Sequence, residues 1–229
     1  MLLPTKKVSD MLDIKKYQVL IFDCDGVIFD TTRLKLAAFQ KVLSDYGADN
    51  VEKFTQYFSA NFGRSRYVHA RYFMKDILKV PFQSIQYNQI INDYGLQCQA
   101  LYNDAQICVG ATELLKKTKN VEKYIASGSD QDELRTVFES RGLDSYFNAI
   151  LGSPRTKDDL VKDICSLHQN QNILMVGDAK ADFTAAKISG IDFLYVSRYS
   201  VDQENMNILS QVENFRSVFD LLEVTSSAK

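Results

Sequence analysis

The sequence predicts an α/β protein, a doubly wound parallel sheet whose first strand is followed by a helical insertion. Three observations predict it. Short apolar runs alternate with segments of helical period, the pattern of parallel strands joined by right-handed crossovers. Carboxylate, hydroxyl and lysine residues gather just after those runs, where a doubly wound sheet places its ligands. One stretch, residues 31–105, breaks the alternation and reads as almost entirely helical.

Residues 17–22 (Tyr-Gln-Val-Leu-Ile-Phe) form the first strand candidate and end abruptly in Asp23-Cys24-Asp25-Gly26. Further candidates are residues 121–126, 147–151, 173–176 and 193–196. Between them, Leu134, Val137 and Phe138 keep helical spacing before the stop signal Arg141-Gly142. Leu160, Val161, Ile164 and Cys165 do the same further on. In the insertion, Tyr67, Ala70, Phe73, Met74, Ile77 and Leu78 fall on one helical face. Its many aromatics (Phe54, Tyr57, Phe58, Phe62, Tyr72, Phe82, Tyr87 and Tyr94) read mainly as the large side chains a small helical core needs.

Composition narrows the function classes. A chain of 229 residues, 45% hydrophobic and 24% charged, is an ordinary soluble domain, and its Ser-Ser-Ala-Lys tail reads as disordered. The net charge of −2 argues against a nucleic-acid partner but leaves room for a local basic pocket. No apolar run approaches the ~20 residues of a membrane span, and residues 1–7 lack the apolar core of a signal peptide. Four scattered cysteines without a C-x-x-C pair read as reduced thiols, so a cytoplasmic location is expected. With only His69 and His168, a histidine-based zinc or iron centre is not expected. No feature fixes an oligomeric state.

Four strand ends carry candidate chemistry. Asp23 and Asp25 lie two apart on an extended chain, so both can face one pocket, and Gly26 permits the turn that follows. Ser127-Gly128-Ser129 follows the second run as a turn with a hydroxyl and backbone N–H groups suited to phosphate. Lys157 falls near a helix N-terminus, where dipole and ammonium both attract an anion. Asp178 and Asp182 stand four apart at a helix start; they can hold a hard cation, or Asp178 can simply cap the helix. Each piece alone has an ordinary explanation; four in succession do not.

Asp23-Cys24-Asp25-Gly26-Val27, Ser127, Lys157 and Gly177-Asp178-x-x-x-Asp182 resemble, in order, the four motifs of the haloacid dehalogenase-like superfamily. The resemblance covers nearly the whole chain. It implies a Rossmann-like catalytic core of residues 1–30 and 106–229 and a helical cap of residues 31–105, hinged near Asp30 and residues 105–108. Asp23 would be the nucleophile and Asp25 the acid and base. Ser127, Gly128 and Lys157 would hold the phosphoryl oxygens, and Mg²⁺ would sit at Asp23, the backbone carbonyl of Asp25, Asp178 and Asp182. Asp182 binds metal through water or orients Lys157. The implied activity is hydrolysis of a small phosphorylated metabolite, a sugar phosphate or phospho-acid. A phosphosugar mutase and a non-catalytic phospho-ligand module share the motifs.

Phosphoglycolate phosphatases and β-phosphoglucomutases are the subfamilies it most resembles. Gly63-Arg64-Ser65-Arg66 is similar to the segment with which mutase-like members grip a phosphosugar, which makes Arg66 a substrate candidate. Thr31-Thr32 departs from the usual Asp-Ser, and no proline follows Lys157. Cys24 is read as packing.

Overall fold

A computed structural model describes residues 12–210 and 215–226, so residues 1–7 and the end of the serine-rich tail lie outside it. Six strands form one parallel sheet: β1 (Val19–Phe22), β2 (Glu122–Asp130), β3 (Ala149–Ser153), β4 (Ile173–Gly177), β5 (Asp192–Val196) and β6 (Phe215–Val218). Their order is β3-β2-β1-β4-β5-β6, and every pairing is parallel. All five expected strands are present. The sixth, Phe-Arg-Ser-Val, is an edge strand with Arg216 and Ser217 at its centre, so it shows no apolar run.

Strand β1 is buried on both faces because helices cover both sides of the sheet. Leu20 and Phe22 meet α5 (Ala111–Lys117), α6 (Gln131–Ser140) and α10 (Leu221–Ser226) through Leu114, Phe138 and Leu221. Val19 and Ile21 meet α7 (Lys157–Leu167), α8 (Lys180–Ser189) and α9 (Gln203–Leu209) through Leu160, Ala186 and Met206. The chain builds outward from β1 to β3, then returns to β4 on the other side. That reversal opens a crevice at the carboxyl ends of β1 and β4.

One expectation needs correction here. Ser127-Gly128-Ser129 is not a turn: β2 runs through it to Asp130, which pairs with Ser153 after a register shift. Asp130 then caps α6, its carboxylate accepting from the N–H groups of Asp132 and Glu133.

Between β1 and β2 lie α1 (Thr32–Val42), α2 (Ala48–Ala60), α3 (Arg66–Tyr72), a π-type turn (Phe73–Ile77) and α4 (Ser84–Asp104). These helices share an aromatic core of Phe39, Phe54, Phe58, Phe73 and Tyr94. Phe39 stacks on Tyr94 at 3.6 Å, and Tyr57 on Tyr72 at 3.5 Å. The aromatic enrichment is therefore mostly packing, with Phe82 the exposed exception. The two chain crossings into this unit run side by side. Asp30 N–H donates to Gln106 O at 2.9 Å and Cys108 N–H to Ile28 O at 2.8 Å. Among the described residues, no helix is long and apolar enough to cross a membrane.

Candidate active site

The end of β1 delivers Asp23 and Asp25 into the crevice, both almost fully buried. Asp23 Oδ1 accepts from Cys24 N–H at 2.7 Å; Oδ2 has no hydrogen bond and lies 3.0 Å from Lys157 Nζ. Gly26 turns the chain away with φ +78°. A Cβ there would stand 2.1 Å from Asp178 Oδ2, so only glycine fits. Cys24 is fully buried in the core, its sulfur 3.9 Å from the Tyr102 hydroxyl, as packing requires.

Strand β4 brings Asp178, and the first turn of α8 brings Asp182. Ligand oxygens of Asp23, Asp178 and Asp182 lie within 4.8 Å of one another. Asp182, not Asp178, closes the start of α8: its Oδ2 accepts from Asp178 N–H at 3.2 Å and Ala179 N–H at 3.0 Å. Its Oδ1 accepts from Lys157, the first residue of α7, so Asp182 orients Lys157 between itself and Asp23.

Three gathered carboxylates and one lysine leave negative charge in excess. Burial and the neighbouring Asp182 push Asp23 up to about 7, with Lys157 only partly opposing. Burial, Asp182 and Asp23 push Asp178 well above the usual carboxylate range. Asp178 Oδ1 is also buried without a hydrogen-bond partner. An orphaned Asp178 oxygen beside two further converging carboxylates is a donor set for a hard divalent cation, so the residues present fit Mg²⁺.

Asp25 has different company. Its Oδ1 accepts from Thr31 Oγ1 at 2.5 Å and Tyr102 OH at 2.8 Å. Its Oδ2 accepts from Lys35 Nζ at 2.7 Å and Ser129 Oγ at 2.8 Å. Burial alone would raise Asp25; the Lys35 ammonium and these hydrogen bonds outweigh it and hold the carboxyl below the usual range. Thr31 stands at the N-cap of α1 but its hydroxyl makes no cap bond. The hydroxyl goes to Asp25 instead, and Lys35 follows one helical turn later. The first turn of α1 is thus tied directly to Asp25.

Lys35, Ser129 and Tyr102 escaped sequence reasoning. Lys35 looks like any helix-surface lysine; its only signal was the i, i+4 spacing from Thr31. Ser129 shared the Ser-Gly-Ser stretch in which Ser127 was singled out.

The remaining sequence candidates converge on the same space. Ser127, Gly128, Asp23, Asp25 and Arg66 line one cavity of about 20 Å³, with Lys35, His69 and Tyr94. Ser127 Oγ accepts from Ser129 N–H at 3.1 Å. Arg66 is buried rather than an exposed helix-start arginine, and both its Nη atoms donate to Glu133 of α6, Nη1 at 2.7 Å. That pairing leaves only Nε free, a partner 67 residues away that no local pattern could announce. Outside this cavity, a 310 Å³ cleft is lined by Arg64, Arg155, Lys157 and Lys180.

Residues 20–196 match the model of a family described as haloacid dehalogenase-like hydrolase. Over 180 residues, 76% of this chain and 81% of the relative, the sequence is 22% identical to a phosphoglycolate phosphatase of Aquifex aeolicus. Among solved structures, a hydrolase from Pseudomonas syringae superposes with a TM-score of 0.73 at 17% identity, covering 92% of this chain and 97% of that one. A HAD-hydrolase of Bacillus subtilis, bound to magnesium and revealing interdomain movement, gives 0.64 at 16% identity over 92% and 98%.

Proposed function

Because this chain belongs to the haloacid dehalogenase-like hydrolase family and is a phosphatase of the phosphoglycolate phosphatase-like kind, we propose that it hydrolyses a small phospho-acid through an aspartyl-phosphate on Asp23. The observation that carries this reading is the buried convergence of Asp23, Asp178 and Asp182, with Lys157 paired to Asp23 and Asp182 and one oxygen of Asp178 left unpartnered.

Asp23 Oδ2, held 3.0 Å from Lys157 Nζ, attacks phosphorus in line; the bond to the leaving oxygen breaks as the new oxygen–phosphorus bond forms. Lys157, Ser127 and the Gly128 N–H hold the phosphoryl oxygens, and Asp182 keeps Lys157 aimed. Asp23 and Asp178 would hold Mg²⁺, which when bound neutralises the charge that otherwise repels a phosphate. Asp25 must enter the cycle protonated, against the Lys35 ammonium, to give that proton to the leaving oxygen, and it regains one from the water that hydrolyses the acyl-phosphate. The Lys35 contact favours the ionised form, so this arrangement prepares Asp25 for the second, base half of the cycle.

Residues 31–105 serve as a cap in this reading. The two side-by-side crossings are its hinge, and α1 couples cap position to Asp25. The magnesium and interdomain movement of the Bacillus structure support both assignments by likeness. The mutase reading is weaker because Glu133 occupies the guanidinium that would grip a distal phosphate.

The test is release of inorganic phosphate from a panel of phosphate monoesters, with Mg²⁺ or with EDTA. Release that needs Mg²⁺ and favours short phospho-acids is expected. No release from any member, p-nitrophenyl phosphate included, would overturn the proposal. Lys35→Met removes the cation facing Asp25. It is expected to lower kcat roughly tenfold with KM little changed, because a positioning group acts on proton transfer rather than on binding. A loss confined to KM would refute that role.

A further inference from the structure

We propose that the cleft between residues 60–65 of the helical unit and the starts of α7 and α8 is a second anion site, apart from the pocket over Asp23, and that it takes a small molecule carrying two phosphate groups. The inference goes beyond the phosphatase reading and does not depend on it. At 310 Å³ the cleft has the volume of a ligand pocket, whereas the cavity over Asp23 holds about 20 Å³. Arg64, Arg155, Lys157 and Lys180 line it against one carboxylate, Asp158, in a chain whose net charge is −2. Like charges gathered on one concave surface repel each other and focus an attractive field for anions.

The four cations are not equally committed. Lys157 is paired with Asp23 and Asp182, and Arg155 shares the exposed Asp163 at 2.6 Å. Arg64 and Lys180 are exposed and form no ion pair among the described residues. Lys180 begins α8, a helix of ten residues whose N-cap, Ala179, has no acceptor on its side chain. Asp182 reaches back to the N–H groups of Asp178 and Ala179. No side chain takes those of Lys180 and Ala181, two residues that line the cleft. Arg64 stands on the helical unit, and Arg155 and Lys180 on the sheet side, so cations line both walls. A ligand with two anionic groups meets both walls at once. Gly63 divides the cleft from the pocket over Asp23. A Cβ on Gly128 would lie 2.4 Å from its carbonyl oxygen, and its own Cβ would stand 3.5 Å from Lys157 Nζ and 3.1 Å from Ala181 Cβ. A diphosphate in the cleft therefore lies behind this loop, and by joining Arg64 to Lys180 it braces the loop in place.

The experiment titrates pyrophosphate and, separately, inorganic phosphate into wild-type protein by calorimetry, at low salt in buffer freed of metal on a chelating resin. Without metal the three carboxylates at Asp23 repel an anion, so the heat reports on the cleft. Pyrophosphate is expected to bind roughly tenfold or more tightly than phosphate, because it spans cations on both walls. Arg155→Gln combined with Lys180→Gln is expected to weaken pyrophosphate roughly tenfold or more. Both residues are exposed, so thermal unfolding of the double variant is expected to match wild type. Limited digestion with trypsin gives a second reading: pyrophosphate should slow cleavage after Arg64 in wild-type protein and not in the double variant. No binding, equal affinity for the two anions, or undiminished binding to the double variant overturns the proposal. A protein that binds pyrophosphate in this way yet releases phosphate from no monoester under Mg²⁺ refutes the phosphatase reading and leaves the cleft site standing.

Discussion

Asp23→Asn protein is expected to fold normally and to lose on the order of 10⁴-fold or more in kcat, because an amide cannot form the acyl-phosphate. The substitution is nearly isosteric, and Asp23 is only 1% exposed at the end of a strand whose four residues are all buried. Oδ1 keeps its acceptor role toward Cys24 N–H if the amide oxygen takes that position. The amide nitrogen then faces Lys157, which has Asp182 as a second anchor and need not move. Removing one of three converging carboxylates also removes part of the repulsion that raises Asp178, so loss of global stability is not the expected cause of inactivity. Phosphate release and thermal unfolding measured on the same preparation decide the matter. Residual turnover within about 100-fold of wild type would exclude Asp23 as nucleophile, since the acid–base step alone is worth 10²–10⁴-fold. An inactive protein that is also unfolded would leave the rate assignment to a phosphoenzyme trap, in which wild-type protein quenched in acid carries label on Asp23.

The sequence made the core legible because its signals are local. A buried β1 must read as a continuous apolar run, and a motif must follow a strand to reach the crevice; both are visible within about ten residues. Strand limits were less visible. Residues 127–129 carry glycine and two serines, so they read as a turn, yet backbone pairing with β3 continues to Asp130. Such an extension is decided by the neighbouring strand, which local composition does not encode.

The site divides in the same way. Asp23, Asp25, Lys157, Asp178 and Asp182 stand at strand ends or helix starts, and Ser127 in the carboxyl-terminal half of β2, where topology brings them together. Lys35 and Tyr102 reach the site from the end turns of α1 and α4, and Glu133 from the first turn of α6. They are placed by how the helical unit docks on the sheet, through contacts spanning 10, 77 and 67 residues. At Asp182 the contact with Lys157 and the closeness to Asp23 and Asp178 are both set by distances that no spacing rule supplies. His69 is the clearest case. An aromatic-rich helix predicts a packed core, and it is one; that His69 is buried against Phe58 inside it appears only in three dimensions.

Gly128→Ala should then strike the closed arrangement without touching any charged group. In this structure the Gly63–Arg64 loop of the helical unit lies directly over Gly128. A Cβ on residue 128 would stand 2.4 Å from Gly63 O and 2.8 Å from the Arg64 carbonyl carbon. Those are backbone atoms, so no side-chain rotation relieves the overlap; the loop itself must withdraw. Alanine keeps the backbone N–H proposed above to hold a phosphoryl oxygen, and β2 tolerates it as a strand residue. The loss therefore reports on closure rather than on a missing donor. A withdrawn loop opens the cavity over Asp23 to water. A shift of about 1 Å in such a site can cost on the order of 10²-fold, and kcat/KM is expected to fall at least that far. Trypsin should cleave after the exposed Arg64 faster in the variant than in wild type, because the loop is no longer pinned against the sheet. If both the rate and the cleavage match wild type, the Gly63–Arg64 contact is dispensable and closure over Asp23 must be achieved by another part of the helical unit.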